Sequence, residues 1–154
     1  QPTASKNIFD QQIQLADFLH QYYGNSKVIA NDIGAITYFN NIHLLDTYGL
    51  GSIEVAKLRK SDHGKFTDNK ALQQYVYDTA KNQNFDVALV FDEWVKMPDY
   101  FSKVGTLTIQ NNYMSGGATV SFYSVQKENT QSLRNQLIQF SKETPKDVII
   151  KIVD

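Results

Sequence analysis

The sequence contains no cysteine, which excludes disulfide bonds, thiolate catalysis and cysteine-ligated zinc. It also has no apolar run close to the ~20 residues that a membrane-spanning helix requires, so we expect no direct membrane insertion by this segment. The chain begins QPTASK, without an initiating Met or the apolar core of a signal peptide. We therefore interpret it as a piece of a longer protein.

An excess of positive charge is also missing. Fifteen Lys and Arg residues against sixteen Asp and Glu residues give a net charge of -1. Nucleic acids and anionic membranes bind concentrated positive charge, so we expect neither as the main partner. The 154 residues, 42% of them apolar, suffice for a buried core, and we expect a single soluble α/β domain over residues 1–154.

Helical periodicity alternates with short, wholly apolar segments along the first two thirds of the chain. The pattern predicts helices at residues 7–24, 33–39, 53–60, 70–82 and 128–143, and strands at residues 27–30, 42–45, 87–91 and 148–153. Residues 106–125 alternate in polarity around a Gly-Gly turn, which predicts a hairpin. The expected fold class is α/β: a three-layer, mainly parallel open sheet with helices on both faces and an antiparallel hairpin in the C-terminal part.

Three of the predicted strands end in acidic residues, at Asp32, Asp46 and Asp92-Glu93. Parallel strands would gather these carboxylates at the sheet edge where α/β proteins bind ligands, and there they could hold a divalent cation or transfer protons. Asp32, however, precedes a helix that it can cap, and Asp46 precedes a turn in which Asp commonly bonds its own backbone. We favour the cap and the turn, and we expect no catalytic residue, no metal and no cofactor.

Other motifs of enzymes are missing. The loop Gly49-Leu50-Gly51-Ser52 opens a predicted helix and could receive an anion, but it matches neither a Walker A sequence nor a dinucleotide fingerprint. The three histidines lack metal-ligand spacing, and there is no nucleophile elbow.

An aromatic residue stands beside the third acidic strand end. Trp94 follows Asp92-Glu93, with Tyr100 and Phe101 close by. Such a ring can stack on a sugar while the acids bind its hydroxyls, or it can simply close the end of the core. The candidate ligand-binding residues are therefore Asp32, Asp46, Asp92, Glu93 and Trp94.

Residues 6–60 carry a resemblance to a known family. The shared pattern is a strand followed by Asn31-Asp32-Ile33-Gly34-Ala35-Ile36, the aromatic pair Tyr38-Phe39, a second strand to Asp46, and Gly49-Leu50. It resembles a segment after the last membrane span of bacterial integral-membrane glycosyltransferases, the relatives of dolichyl-phosphate-mannose protein mannosyltransferases and lipid A aminoarabinose transferases. The resemblance implies a C-terminal domain on the extracytoplasmic (periplasmic) face of a bacterial membrane, tethered through upstream transmembrane helices. Asn31, Asp32, Gly34, Tyr38, Asp46, Gly49 and Leu50 would mark the motif, and the catalytic acid of such proteins would lie elsewhere.

On that basis we expect a non-catalytic accessory domain of a polyprenyl-phosphate-sugar-dependent membrane glycosyltransferase. Its expected partners are the membrane part of its own parent protein and a glycan or lipid-linked sugar. One alternative is a free-standing hydrolase-like or metal-assisted enzyme that uses the carboxylates at the strand ends. The other is a pure protein-interaction module that dimerises through an exposed edge of the hairpin around Thr106 to Ser124.

Overall fold

A computed structural model of the chain describes residues 2–31, 42–47, 53–61, 69–93, 96–110 and 119–154. These ranges contain helices α1 (Pro2–Tyr22), α2 (Ile53–Ser61), α3 (Lys70–Asn82) and α4 (Thr130–Ser141), the last preceded by a 3-10 turn, Lys127–Asn129. They also contain strands β1 (Lys27–Ala30), β2 (His43–Asp46), β3 (Val87–Val90), β4 (Ser102–Ile109), β5 (Thr119–Ser124) and β6 (Val148–Ile152). None of the described helices meets the length and hydropathy that a membrane span requires. The helix expected at residues 33–39 and the Gly-Gly turn lie outside the described residues.

The described strands form one six-stranded open sheet in the order β2-β1-β3-β5-β4-β6. Strand β1 runs parallel to both of its neighbours, β2 and β3. The remaining pairings, β3 with β5, β5 with β4 and β4 with β6, are antiparallel. The chain is thus a mixed α/β protein, and the expected parallel character holds for the β2-β1-β3 half of the sheet.

The predicted C-terminal hairpin is confirmed, but its position in the sheet differs from one of our expectations. Strands β4 and β5 pair antiparallel, and each has a second neighbour, β6 for β4 and β3 for β5. The two strands of the hairpin therefore lie inside the described sheet, and the exposed edge that we assumed for the interaction-module alternative is wrong. The sequence did not reveal this because the partners β3 and β6 are distant along the chain, and the outer strands of the described sheet are β2 and β6.

One apolar cluster joins α1 and α4 to the sheet. Phe18 is completely buried and makes edge-on ring contacts with Phe122 of β5 at 5.1 Å and Phe140 of α4 at 5.4 Å. Alternate strand residues such as Val28, Val87 and Leu107 complete the cluster. These strand residues lie on the same face because successive side chains of a strand point alternately to the two faces of a sheet.

The intervening strand residues form a second apolar cluster with α2 and α3. Helix α3 contributes Leu72, Val76 and Ala80, the three residues that its helical spacing predicts to be buried. Asn69 caps this helix, since its Oδ1 accepts a hydrogen bond from the Leu72 amide at 2.8 Å. The Asn69 Nδ2 donates to the Leu58 carbonyl at 3.2 Å, so the same side chain ties α3 to α2.

Candidate functional site

The parallel strands β2, β1 and β3 end at a common edge, and Asn31 joins two of these ends. Its Nδ2 donates to the Phe91 carbonyl at 3.1 Å, and its Oδ1 accepts from the Phe91 amide at 3.0 Å. The side chain thereby links the chain after β3 to the end of β1, just beyond Ala30 and Leu89, the last paired residues of these strands. Asn31 is 2% exposed, so these bonds are shielded from water. Asn31 thus links the end of β1 to the chain that follows β3, and its predicted role in the turn after β1 stays a prediction.

Strands β1 and β2 are held at the same edge by Thr47. The Thr47 amide donates to the Ala30 carbonyl at 2.8 Å, and its hydroxyl donates to the same oxygen at 3.2 Å. The preceding residue, Asp46, is 3% exposed. A carboxylate buried to this degree at the end of a strand has little surface to offer a ligand.

Asp92, two residues beyond β3, accepts hydrogen bonds from three side chains. Its Oδ1 accepts from the Tyr123 hydroxyl at 2.6 Å. Its Oδ2 accepts from the Ser121 hydroxyl at 2.6 Å and forms an ion pair with the Lys103 Nζ at 2.8 Å. We call Asp92, Lys103, Ser121 and Tyr123 the Asp92 network. It ties the end of β3 to β4 and β5.

The strand register explains why these side chains meet. Ser121 and Tyr123 are two residues apart on β5 and therefore point to the same face. Lys103 lies directly opposite Tyr123 on β4, one step before the register shifts between Lys103 and Gly105. The Asp92 side chain reaches these groups from the β3 side.

The network determines the charge of Asp92. Partial burial by itself would raise the pKa of this carboxyl, but the hydrogen bonds from Lys103, Ser121 and Tyr123 outweigh burial and hold the pKa below its ordinary value. Asp92 is therefore ionised at neutral pH. A general base works best when its pKa lies near the working pH, so this carboxylate is suited to holding an arrangement of groups rather than to transferring protons.

A small cleft opens beside the Asp92 network, and we call it the network cleft. It has a volume of about 270 Å³, and its lining includes Asp92, Lys96, Asp99, Phe101, Lys103 and Tyr123. Residues 96–101, which we call the connecting chain, contribute one side of the lining, and Lys103 of β4 and Tyr123 of β5 contribute to the other. The lining thus combines a tyrosine ring with charged side chains of both signs.

A larger cleft lies between α3 and the same connecting chain, and we call it the helix cleft. It has a volume of about 530 Å³, and its lining includes Lys70, Gln73, Gln74, Tyr77, Asp99 and Tyr100. Such a volume falls within the ~300–1,000 Å³ typical of small-molecule sites. It combines aromatic, amide and charged side chains within one concave surface.

Two tyrosines form the aromatic part of the helix cleft. The rings of Tyr77 and Tyr100 meet edge to face with centroids 4.3 Å apart, and the Tyr100 hydroxyl donates to the Tyr77 carbonyl at 3.4 Å. Tyr100 is 38% exposed. Partial burial, with Tyr77 and Asp78 nearby, raises the pKa of Tyr100 to about 12, so its hydroxyl stays protonated. Part of an aromatic surface is thus presented to the solvent in a fixed orientation.

Within the described part of the chain, the predicted site residues Asp46 and Asp92 do not converge on one point. Asp46 is the last residue of β2 and Asp92 follows β3, and β1 lies between these two strands, which are therefore roughly 10 Å apart. The Asp92 carboxylate is directed toward β5 and β4, away from Asp46. Among the described residues, no group of three acidic or histidine side chains is arranged to hold a metal ion.

The other predicted residues differ in what the structure describes of them. Glu93 is exposed next to the Asp92 network. The remaining predicted ligand and motif residues lie outside the described residues, namely Asp32, Gly34, Tyr38, Gly49, Leu50 and Trp94.

Sequence reasoning missed the residues on the far walls of both clefts. Lys103, Ser121 and Tyr123 meet Asp92 only through the register of β4 and β5, which no local pattern reveals. Tyr77 belongs to the stretch YVY of α3 but lies outside the buried stripe of that helix. An aromatic residue at such a position could have been predicted to face solvent or a ligand.

Comparisons with known proteins place the chain in a family without assigning an activity. Neither the curated proteins nor the solved structures give a significant match. A family model described as a domain of unknown function (DUF8728) matches residues 6–123, well over half of the chain, and this span includes the lining residues of both clefts. The chain therefore belongs to the DUF8728 family.

Proposed function

We propose that this chain is a non-catalytic accessory domain of a polyprenyl-phosphate-sugar-dependent membrane glycosyltransferase, and that it binds a glycan in the helix cleft. The proposal places the domain on the extracytoplasmic face of a bacterial membrane, tethered to the membrane part of its parent protein. The parentage is supported by the resemblance over residues 6–60. Glycan binding is supported by the composition and geometry of the cleft.

The observation that carries glycan binding is the pair Tyr77 and Tyr100. One face of a sugar ring is apolar because its C–H groups point to that side, and an aromatic ring offers it a flat apolar partner. Tyrosine is well suited because a hydroxyl accompanies the apolar ring. The edge-to-face contact at 4.3 Å fixes the two rings at an interplanar angle of 74°. A ligand therefore meets two apolar surfaces of different orientation.

The polar groups of the cleft suit the hydroxyls of a sugar. Gln73 and Gln74 line it with amides, which both donate and accept hydrogen bonds. Asp99 supplies an acceptor, and Lys70 supplies a donor. Each hydroxyl of a sugar is also a donor and an acceptor, so this mixture can pair with several of them at once.

The cleft walls are supported from below, which favours a preformed site. Helix α3 is anchored through Leu72 and Val76, both completely buried. The connecting chain is anchored through Met97 and Phe101, which are 4% and 6% exposed. A preformed site loses less conformational entropy when a ligand binds.

The proposal includes a three-layered frame, with α1 and α4 on one face of the sheet and α2 and α3 on the other. The two separate apolar clusters support this arrangement.

Titration of the 154-residue chain with glycans in a calorimeter tests the binding function. Tyr100→Ala is expected to weaken binding about tenfold or more, because it removes an exposed ring from the cleft, whereas Tyr100→Phe is expected to retain most of the affinity. Phe9→Ala is the matched control, since Phe9 is a 59% exposed aromatic on α1 that does not line the cleft. Equal affinities for the wild type and Tyr100→Ala would contradict the assignment of this site.

The membrane location has an independent test. In cells that express the parent protein, an epitope placed after Asp154 is expected to be digested by protease added to spheroplasts with intact inner membranes. A cytoplasmic protein in the same cells should survive. Protection of the epitope until the membrane is lysed would contradict the extracytoplasmic location.

A further inference from the structure

The helix cleft and the network cleft adjoin each other. Pro98 and Asp99 line both of them, so this dipeptide forms a ridge with one cleft on each side. Pro98 is buried, whereas Asp99 is exposed. The Asp99 carboxylate therefore stands at the boundary, where a ligand in either cleft can reach it.

A series of aromatic rings connects the two clefts. The Tyr77 and Tyr100 centroids are 4.3 Å apart, and those of Tyr100 and Phe101 are 4.8 Å apart. The Phe101 ring is 6.5 Å from that of Tyr123, which lines the network cleft. Aromatic surface is thus available at both ends of the series, and the buried Phe101 holds the two ends at a fixed separation.

The sizes of the clefts differ in a way that bears on the ligand. The helix cleft, at about 530 Å³, is large enough for a ligand of its own. The network cleft, at about 270 Å³, is below the ~300 Å³ lower end of typical small-molecule sites. Its position against the ridge makes it suitable as an extension of the larger site.

The polar groups of the network cleft are partly fixed and partly exposed. Lys103 is held by Asp92 at 2.8 Å, which leaves the pair neutral as a unit. Lys96 is exposed at the same cleft. Sugar hydroxyls are neutral and can both donate and accept hydrogen bonds, so they can pair with the lysines and with the carboxylate of this cleft.

We propose that the two clefts are consecutive subsites for one linear oligosaccharide, which crosses the Pro98–Asp99 ridge. The ligand class is a chain of two or more sugar units, with one unit against Tyr77 and Tyr100 and a following unit against Tyr123. This inference rests on the proposed glycan-binding function and adds the length of the ligand and a second subsite. Asp99 is the residue that contacts both units.

The test is the affinity of the 154-residue chain for glycan probes of increasing length. The probes are series of one to six units of β-linked glucose, β-linked N-acetylglucosamine and α-linked mannose, measured by calorimetry. Affinity for at least one series is expected to rise about tenfold or more between one and three units and then to level off, because the second subsite contributes only to longer chains.

Two cleft variants and one control separate the subsites. Lys96→Ala is expected to weaken binding of the three-unit probe several-fold and to leave binding of the one-unit probe unchanged. Tyr77→Ala is expected to weaken binding of every probe, and Lys146→Ala, an exposed lysine outside both clefts, is expected to change none. Circular dichroism verifies that each variant is folded.

The possible results distinguish this inference from the proposed function. If one-unit and three-unit probes bind equally and Tyr77→Ala weakens both, the second subsite is contradicted and glycan binding stands. If no probe binds, both are contradicted. A rise of affinity with length that Lys96→Ala removes would establish the two-subsite arrangement.

Discussion

The side-chain amide of Asn31 is bonded to both backbone polar groups of Phe91. The two contacts, at 3.1 Å and 3.0 Å, connect residues that are sixty positions apart in the sequence. Asn31 stands at the end of β1, and Phe91 starts the chain that leads from β3 to Asp92 and the two clefts. The two hydrogen bonds therefore hold the start of this chain against the end of β1.

Replacement of Asn31 by Ala is expected to destabilise the protein by about 2–4 kcal/mol. The substitution removes both hydrogen bonds between the Asn31 side chain and the backbone of Phe91, and the loss of a buried hydrogen bond of this kind costs about 1–3 kcal/mol. Urea denaturation measures the free energy of unfolding. Asn135→Ala, at an exposed position on α4, is the control and is expected to change stability by less than about 0.5 kcal/mol. Similar losses for the two variants would contradict the role given to Asn31.

The pKa of Asp92 predicts how stability depends on acid. Burial opposes ionisation of this carboxyl, but the three hydrogen bonds hold its pKa below the ordinary value in the folded state. Its contribution to stability is thus present above the ordinary carboxyl pKa of about 4 and is lost as the pH falls through the lower, folded value. The free energy of unfolding of the wild type is expected to fall more steeply below about pH 4 than that of Asp92→Asn.

The control for this acid dependence is Asp147→Asn, which removes an exposed carboxylate outside the Asp92 network. We expect the difference between the wild type and Asp92→Asn to shrink as the pH decreases. A difference that stays constant from neutral pH to about pH 2 would show that the carboxylate charge is not what the network stabilises.

Stability at high pH is expected to depend on Tyr123. Burial raises the pKa of Tyr123, and its hydrogen bond to Asp92 raises it further. Because the folded pKa exceeds the unfolded value of about 10, this contribution is complete below pH 10 and is lost as the pH rises toward the folded value. The Tyr123→Phe variant should therefore lose less stability than the wild type above about pH 10. Equal slopes in chemical denaturation across that range would contradict the raised pKa of Tyr123 in the folded state.

Gly105 is expected not to tolerate a side chain. A Cβ at this position would lie 2.6 Å from the backbone oxygen of Lys151 in β6 and 3.3 Å from Cδ1 of Leu137 in α4. Gly105→Ala must push β6 away from β4, at a cost of about 1–3 kcal/mol. Gly24→Ala is the matched control, because its nearest contact would be 3.8 Å away. Equal melting temperatures for the two variants would contradict the close approach of β6.

The parts of the fold that the sequence predicted are those determined by local pattern. The stripe Leu72, Val76 and Ala80 of α3 is buried, and the apolar run from Val87 forms the strand β3 at the centre of the sheet. Alternating polarity likewise predicted the antiparallel pairing of β4 with β5. Each of these depends on residues within one or two elements.

The parts that the sequence did not predict depend on contacts between distant elements. The strand order places β5 next to β3 and puts β6 outside β4, and each of these pairings joins strands that are distant along the chain. The partners of Asp92 follow from that order. The sequence identified Asp92 as a candidate, but it could not show that Lys103, Ser121 and Tyr123 already occupy its carboxylate oxygens.

The most direct test of glycan binding is a nuclear magnetic resonance titration of the isotope-labelled chain with the three-unit probes. We expect saturable shifts of amide signals at Gln73, Tyr77, Asp99 and Tyr100, with unchanged signals on α4. The absence of shifts at these residues, or shifts confined to another face of the protein, would contradict glycan binding in the helix cleft.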